Sequence, residues 1–246
     1  MSTWPYAQLN QLSEAEVHLW FVPLAVTPEQ SAYFWSILSR EEQERASSFH
    51  HRKDAQHYVA SRGSLRSLLG GYLAFEPVQL QFAYNAFGKP RLATDVPGEG
   101  VSFSVSHSHD CGLLGFVREH RIGVDLERVD MEVDVESLAA RYFSPNEFKR
   151  LRSLPADQQR EAFYCGWTRK EAYLKGRGEG LSFSLDRVEV SLTPGEPARI
   201  LKASGDPGVS RRWIVQHLSP AQGYIGAAAV EGHDITFRCF KCEPVS

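Results

Sequence analysis

The sequence predicts an α+β fold of two similar halves with a cleft between them. Three observations lead there. Helical stretches followed by strand-like alternation occur twice, once on each side of the midpoint of the chain. The polar link Arg118-Glu119-His120-Arg121 divides the two runs and sets a domain boundary after residue 119, giving spans of 1–119 and 120–246. The 246 residues, 42% hydrophobic and 23% charged, suffice for one large core or two smaller ones. The repetition lies in the order of elements and not in any repeated string of residues.

In the first half, Val17–Val22 reads as a strand, and Pro23 and Pro28 mark the turn into a helix over about Ser31–Ile37. Ser39 with Glu42 three residues on forms a capping box that opens a short helix ending near Phe49–Lys53. Asp54–Leu73 carries Tyr58, Arg62, Leu65, Leu68, Leu69 and Tyr72 at helical spacings, and Gly70-Gly71 loosens the end of this longer helix. Val78–Tyr84 reads as a strand and Asn85–Pro90 as a turn that presents Lys89. Val101–Ser106 alternates as a half-buried strand with Val101, Phe103 and Val105 inward, and Leu113–Val117 pairs with it.

The second half opens on the strand Ile122–Glu127. Helices follow at about Val135–Tyr142, Ser144–Ser153 and Asp157–Lys175, the middle one opened by the capping box Ser144-Pro145-Asn146-Glu147. Strands are expected near Leu185–Leu192, Arg212–His217, Tyr224–Val230 and Ile235–Phe240.

A net charge of -3 gives no support to a general nucleic-acid-binding role, so any basic patch must be local. The N-terminus lacks the segments of a signal peptide and no apolar run reaches membrane-spanning length, which reads as a cytoplasmic protein without a membrane partner. Cys111, Cys165, Cys239 and Cys242 are too few and scattered for a disulfide scaffold. Cys239-Phe240-Lys241-Cys242 ends a strand-like run and lacks the second ligand pair that a zinc site requires.

The chemistry gathers around Gly123-Val124-Asp125-Leu126-Glu127. On a strand, Ile122, Val124 and Leu126 face one way while Asp125 and Glu127 face the other. Two adjacent carboxylates repel, and a cation between them, a proton on one, or water around both relieves the repulsion. Magnesium suits such an oxygen face when phosphate and water complete its shell, and a solvated acidic edge is the alternative. Trp167, Glu171 and Lys175 are spaced by four on one helical face. This is either an i,i+4 ion pair or a third carboxylate for the cation with a lysine aimed at phosphate. Ser106-His107-Ser108-His109 admits a histidine metal pair, a nucleophilic serine with its base, or a phosphate-binding histidine. Adjacent strand residues point to opposite faces, which argues against the catalytic pair, and oxygen-rich surroundings argue against the metal pair.

Arg45 with Phe49 and Asp54, then Gly88-Lys89-Pro90, Ser104-Val105-Ser106-His107-Ser108, Gly123-Val124-Asp125-Leu126-Glu127 and Trp167-Thr168-Arg169-Lys170-Glu171-Ala172-Tyr173-Leu174-Lys175 follow one another in a set order. The pattern, from about Arg40 to Leu181, resembles that of the Sfp-type 4'-phosphopantetheinyl transferase family. The resemblance implies two α+β subdomains related by a pseudo-two-fold axis. Coenzyme A and magnesium would bind in the cleft between them, with transfer of phosphopantetheine to a serine of an apo acyl or peptidyl carrier protein. It implies Asp125, Glu127 and Glu171 as magnesium ligands, with Glu171 and Lys175 as the catalytic residues. Arg45, Arg62, Lys89, Ser106, His107 and Lys175 are the implied coenzyme A contacts. Some relatives carry lysine where Glu42 stands, so positive charge for the 3'-phosphate would come from Arg45 and Arg52. A site made by both halves of one chain needs no partner subunit, and a monomer is expected.

A coenzyme A or nucleotide-binding module without catalysis is the rival reading, with a magnesium-dependent phosphohydrolase as a third. Three clustered acids beside a phosphate site are unfavourable without a metal, which disfavours the pure binding module. Carrier docking is expected on the second half. Lys149, Arg150 and Arg152 around Phe148 and Leu151 form either a basic rim on an apolar centre or the solvated face of an amphipathic helix.

Overall fold

Three hydroxyls start three helices. Thr27, Ser39 and Ser144 each accept from the backbone N–H three residues on, and the side chains of Gln30, Glu42 and Glu147 reach back in full capping boxes. In the computed structural model, which describes residues 12–94, 100–178 and 184–242, these caps open α1 (Pro28–Ile37), α2 (Arg40–Ser47) and α5 (Pro145–Ser153). The chain is α+β. Its first run is β1 (Glu16–Pro23), α1, α2, α3 (Arg52–Leu73), a 3-10 turn at Pro77–Gln79, the small hairpin β2 (Phe82–Tyr84) and β3 (Pro90–Leu92), and the long hairpin β4 (Val101–Ser108) and β5 (Cys111–Arg118). The second run is β6 (Ile122–Arg128), α4 (Val135–Tyr142), α5, α6 (Ala156–Arg177), a 3-10 turn at Leu185–Arg187, the pair β7 (Val188–Val190) and β8 (Ile200–Ala203), α7 (Val209–Arg212), then β9 (Trp213–Leu218) and β10 (Tyr224–Glu231). β11 (Thr236–Lys241) ends the described chain.

The two runs build matching sheets. One has the order β11-β1-β5-β4 and the other β6-β10-β9, so each run places its first strand beside its last. β11 pairs in parallel with β1, and residues 236–241 therefore complete the sheet of the first run although they lie within the span 120–246. Each sheet packs one face on its long helix. Leu65, Leu68 and Leu69 of α3 meet Leu114 and Phe116, while Ala172, Tyr173 and Leu174 of α6 meet Ala227 and Ala229. The other faces meet each other through Val17, Leu19 and Val117 against Ile122, Val124 and Leu126. Gly115 permits this contact, because a Cβ there would stand 2.6 Å from Val124 Cγ1.

Two expected strands are shorter than the alternation suggested. Residues 78–84 begin in the 3-10 turn that Pro77 starts, and only Phe82–Tyr84 is strand. Residues 185–192 likewise begin in a turn and narrow to Val188–Val190. β3, β8 and α7 are three or four residues each and carry no pattern long enough to read.

A buried charge node holds each turn. Glu42 Oε2 accepts from Arg66 Nε at 2.6 Å, and Arg66 also donates to Pro77 O and Leu80 O. Glu147 Oε2 stands 2.6 Å from Lys170 Nζ, which donates to Leu185 O and Val188 O. Glu42 and Glu147 are the capping-box glutamates, so each links a helix start, a long helix and a 3-10 turn.

Candidate active site

β6 and α6 place the acids. Gly123 lets the helix backbone touch the strand, since a Cβ there would fall 2.0 Å from Ala172 O and 2.2 Å from Gly176 N. The next residue on that face is Asp125, buried at 3% exposure. Its placement removes the solvated-edge reading of this strand. On α6, whose middle turns are otherwise buried, Trp167, Glu171 and Lys175 form a half-buried stripe at the expected spacing.

Lys175 Nζ lies 2.6 Å from Asp125 Oδ1 and donates to Ser106 Oγ at 3.0 Å. Ser106 donates to the same Oδ1 at 2.9 Å and accepts from the Leu126 N–H at 3.3 Å. Asp125 Oδ2 is buried without a hydrogen-bond partner. Glu127 Oε2 accepts from Ser108 at 3.0 Å. Burial, then the Asp125 carboxylate, pushes Glu127 up to about 7, and the same two causes raise Glu171 against the pull of Lys175.

Lys89 comes to the same junction from the β2–β3 turn. It donates to Ile122 O at 2.9 Å and Gly176 O at 3.3 Å, and burial, then Arg121, lowers it to about 8. Asn85 Oδ1 accepts from the N–H groups of Phe87 and Lys89 and fixes the turn.

A cleft of about 890 Å³ is lined by residues of the first run, among others Arg45, Phe49, Arg62, Tyr84, His107 and Ser108, and Ser108 joins it to Glu127. His107 lines it on the opposite face of β4 from buried Ser106; its ring keeps solvent contact, and the protein packed around it, then Lys175 and His57, lowers its proton affinity. Arg45 lies over the Tyr58 ring at 5.6 Å. Arg62 is directed inward: its Nε stands 3.0 Å from Glu42 Oε1, an ion pair whose angle falls short of a hydrogen bond, and it donates to Tyr84. Glu42 is thus paired by Arg62 and Arg66; of the cleft's other basic side chains Lys53 pairs with Asp110 at 2.9 Å and Arg45 lies over Tyr58, while Arg52, expected beside Arg45, is not among the lining residues. Asp125, Ser106, Lys175 and Glu127 come together, with Glu171 and Lys89 beside them, while Arg45, Arg62 and His107 line the adjoining cleft. A larger cavity of about 1140 Å³ includes Arg121 and Arg212, but both face Glu231 at 3.5 and 3.8 Å. Among its described lining residues no buried acid lacks a partner.

On α5, Leu151 is buried and Phe148 packs partly inward. Arg150 pairs with Glu196 at 3.1 Å and Arg152 with Glu136 at 3.3 Å, so the amphipathic reading of this helix fits its contacts. All four cysteines are free, and among the described residues no three His, Cys, Asp or Glu side chains are grouped so as to hold a metal, Asp125, Glu127 and Glu171 included. Residues 179 and 180, in the glycine-rich stretch 176–180 where α6 ends, and Leu181 lie outside the described residues.

Residues 121–229 match the 4'-phosphopantetheinyl transferase superfamily, and residues 25–115 match the family described as 4'-phosphopantetheinyl transferase, N-terminal. The 4'-phosphopantetheinyl transferase HetI of Nostoc sp. is 40% identical over 91% of this chain and 91% of its own length. The chain belongs to the 4'-phosphopantetheinyl transferase family. A putative 4'-phosphopantetheinyl transferase of Synechocystis sp. is 36% identical over 73% of the chain and 71% of its own. The 4'-phosphopantetheinyl transferase Sfp of Bacillus subtilis is 30% identical over 68% of the chain and 72% of its own. Within that family the chain is of the Sfp-like type.

Sequence reasoning named Ser104 and Ser108 within the pattern but gave them no role, and the structure shows their hydroxyls bonding the β6 backbone. The strict Ser alternation of residues 102–108 was the signal, but it reads equally as a solvent face.

Proposed function

We propose that this chain transfers 4'-phosphopantetheine from coenzyme A to a serine hydroxyl of an apo carrier protein, in a cleft between two α+β halves related by a pseudo-two-fold axis. The observation that carries it is Asp125, a buried carboxylate with one oxygen on Lys175 and the other unpartnered, flanked by two acids of raised proton affinity. The matching strand orders of the two sheets, and the division of roles between residues 1–119 and 120–246, support the two-fold relation.

The free Oδ2 of Asp125 suits magnesium; Glu127 and Glu171 are not grouped with it as a ready-made site, and they would add oxygen donors on closing around the ion, with phosphate oxygens and water supplying the rest of its shell. When bound, that ion would neutralise charge on the pyrophosphate of coenzyme A. Lys175, Lys89 and His107 hold phosphate oxygens as fixed donors, and Arg45 adds charge at the far side of the cleft. The serine hydroxyl attacks the β-phosphorus, the bond to 3',5'-ADP breaks, and Glu171 takes the serine proton. A single chain carries all of these groups, in keeping with a cytoplasmic monomer; no described helix is long and apolar enough to cross a membrane.

Incubation with coenzyme A and magnesium, with and without an apo carrier protein, tests the reading by mass spectrometry. Gain of one phosphopantetheine by the carrier, dependent on its serine, is expected. Retained coenzyme A without transfer would favour a binding module, and hydrolysis without carrier would favour a phosphohydrolase.

A further inference from the structure

The two sheets meet at β4 and β6 through side chains. Val124, Leu126 and Arg128 donate their N–H groups to Ser104 Oγ at 3.1 Å, Ser106 Oγ at 3.3 Å and Ser108 Oγ at 3.1 Å. Ile122 O on the same strand accepts from Lys89. Among the described residues β6 pairs with β10 alone, and Val124 and Leu126 on its other edge are buried, so their donors need partners. The hydroxyls supply them where a neighbouring strand's carbonyls otherwise would.

We infer that this ladder also sets the acids: Ser106 and Ser108 are positioning residues for the transfer reaction, and Ser104 is a splice alone. A hydroxyl has one proton and two lone pairs. Ser106 gives its proton to Asp125 Oδ1, and its lone pairs take the Leu126 N–H and Lys175 Nζ. Its bonding capacity is complete inside the protein, so it acts through Asp125 and Lys175 and not on coenzyme A. The arrangement turns Asp125 so that Oδ2 is the oxygen left free. Ser108 repeats it one step along, taking the Arg128 N–H and giving its proton to Glu127 Oε2. The strand residue before Val124 is Gly123, so Ser104 has no carboxylate to hold. The ladder thus contains its own control.

This inference rests on the transfer reading above, and one variant series tests it. Ser104→Ala, Ser106→Ala and Ser108→Ala in the full chain each lose one β6 acceptor and should lower the melting temperature by similar amounts. Ser104→Ala should keep kcat within about twofold. Ser106→Ala and Ser108→Ala should lose about 10–100-fold in kcat, with an unchanged KM for coenzyme A, and Mn2+ affinity by calorimetry should fall by a like factor in these two alone. Should either alanine variant fail to fold, the cysteine variant, similar in size with a weak donor and acceptor, carries the same expectation. Equal kcat and Mn2+ affinity in all three folded variants overturns the inference, as does a Ser106 variant that changes only KM for coenzyme A. A wild type without turnover overturns the transfer reading and this inference together, which distinguishes the two failures.

Discussion

The face of β1 against α3 and the face of β6 against α6 occupy matching places in their sheets and have opposite fates. Both long helices have 22 residues, and both are tied to a preceding capping-box glutamate and a following 3-10 turn by one buried cation. On the first face His18 Nδ1 and Trp20 Nε1 both reach Tyr72 Oη at 2.8 Å, and Phe240 stacks on Trp20 at 4.5 Å. That face is closed by aromatic rings. On the second, Asp125 and Glu127 meet Lys175 and Glu171, and one carboxylate oxygen has no partner. His18 Nε2 on the first face also lacks a hydrogen bond, 3.6 Å from Glu16 Oε2, so the difference is one of chemistry: a ring nitrogen walled in by aromatic rings against a carboxylate oxygen with two further acids beside it.

Predictions sharpen that contrast. Removing Lys170 leaves the buried Glu147 carboxylate without its charge partner, so Lys170→Met should lose about 3–5 kcal/mol in denaturant unfolding, and Arg66→Met should also destabilise but by less, because Arg62 still pairs Glu42. Loss in one alone would break the equivalence of the halves. Tyr72→Phe removes the hydroxyl shared by His18 and Trp20 and should lose about 1–3 kcal/mol. Its transfer rate should stay at wild type, and a large fall in kcat would give the closed face a catalytic part. The smallest effect concerns pH. Burial holds Lys89 at about 8, and a lysine loses its charge as pH rises, so kcat/KM for coenzyme A should decline above about pH 8. Lys89→Arg keeps its charge there, and an identical alkaline limb in that variant would assign the limb to another group.

The acids were legible because strand alternation and a spacing of four are local. Asp125, Glu127, Glu171 and Lys175 need only the correct element types to share one junction, and Ser39 and Ser144 announce their helices for the same reason. What was not legible depends on distant pairing. Nothing in residues 236–241 tells that they lie beside β1. Arg66, Arg169 and Lys170 look in sequence like surface charge, yet all three are at or below 1% exposure because remote carbonyls and glutamates receive them. Glu42 stood out as a missing phosphate-binding lysine, and the structure instead shows it as a folding node.

The account's central claim is that the open face of β6 and α6 is the transfer site and that Asp125 is its cation ligand. Calorimetric titration of Mn2+ into wild type and Asp125→Ala, with coenzyme A present and the fold checked by circular dichroism, tests it most directly. Wild type should bind one equivalent, while a folded Asp125→Ala protein should bind none measurable and have lost transfer. A folded Asp125→Ala protein with wild-type Mn2+ affinity and turnover would contradict the account.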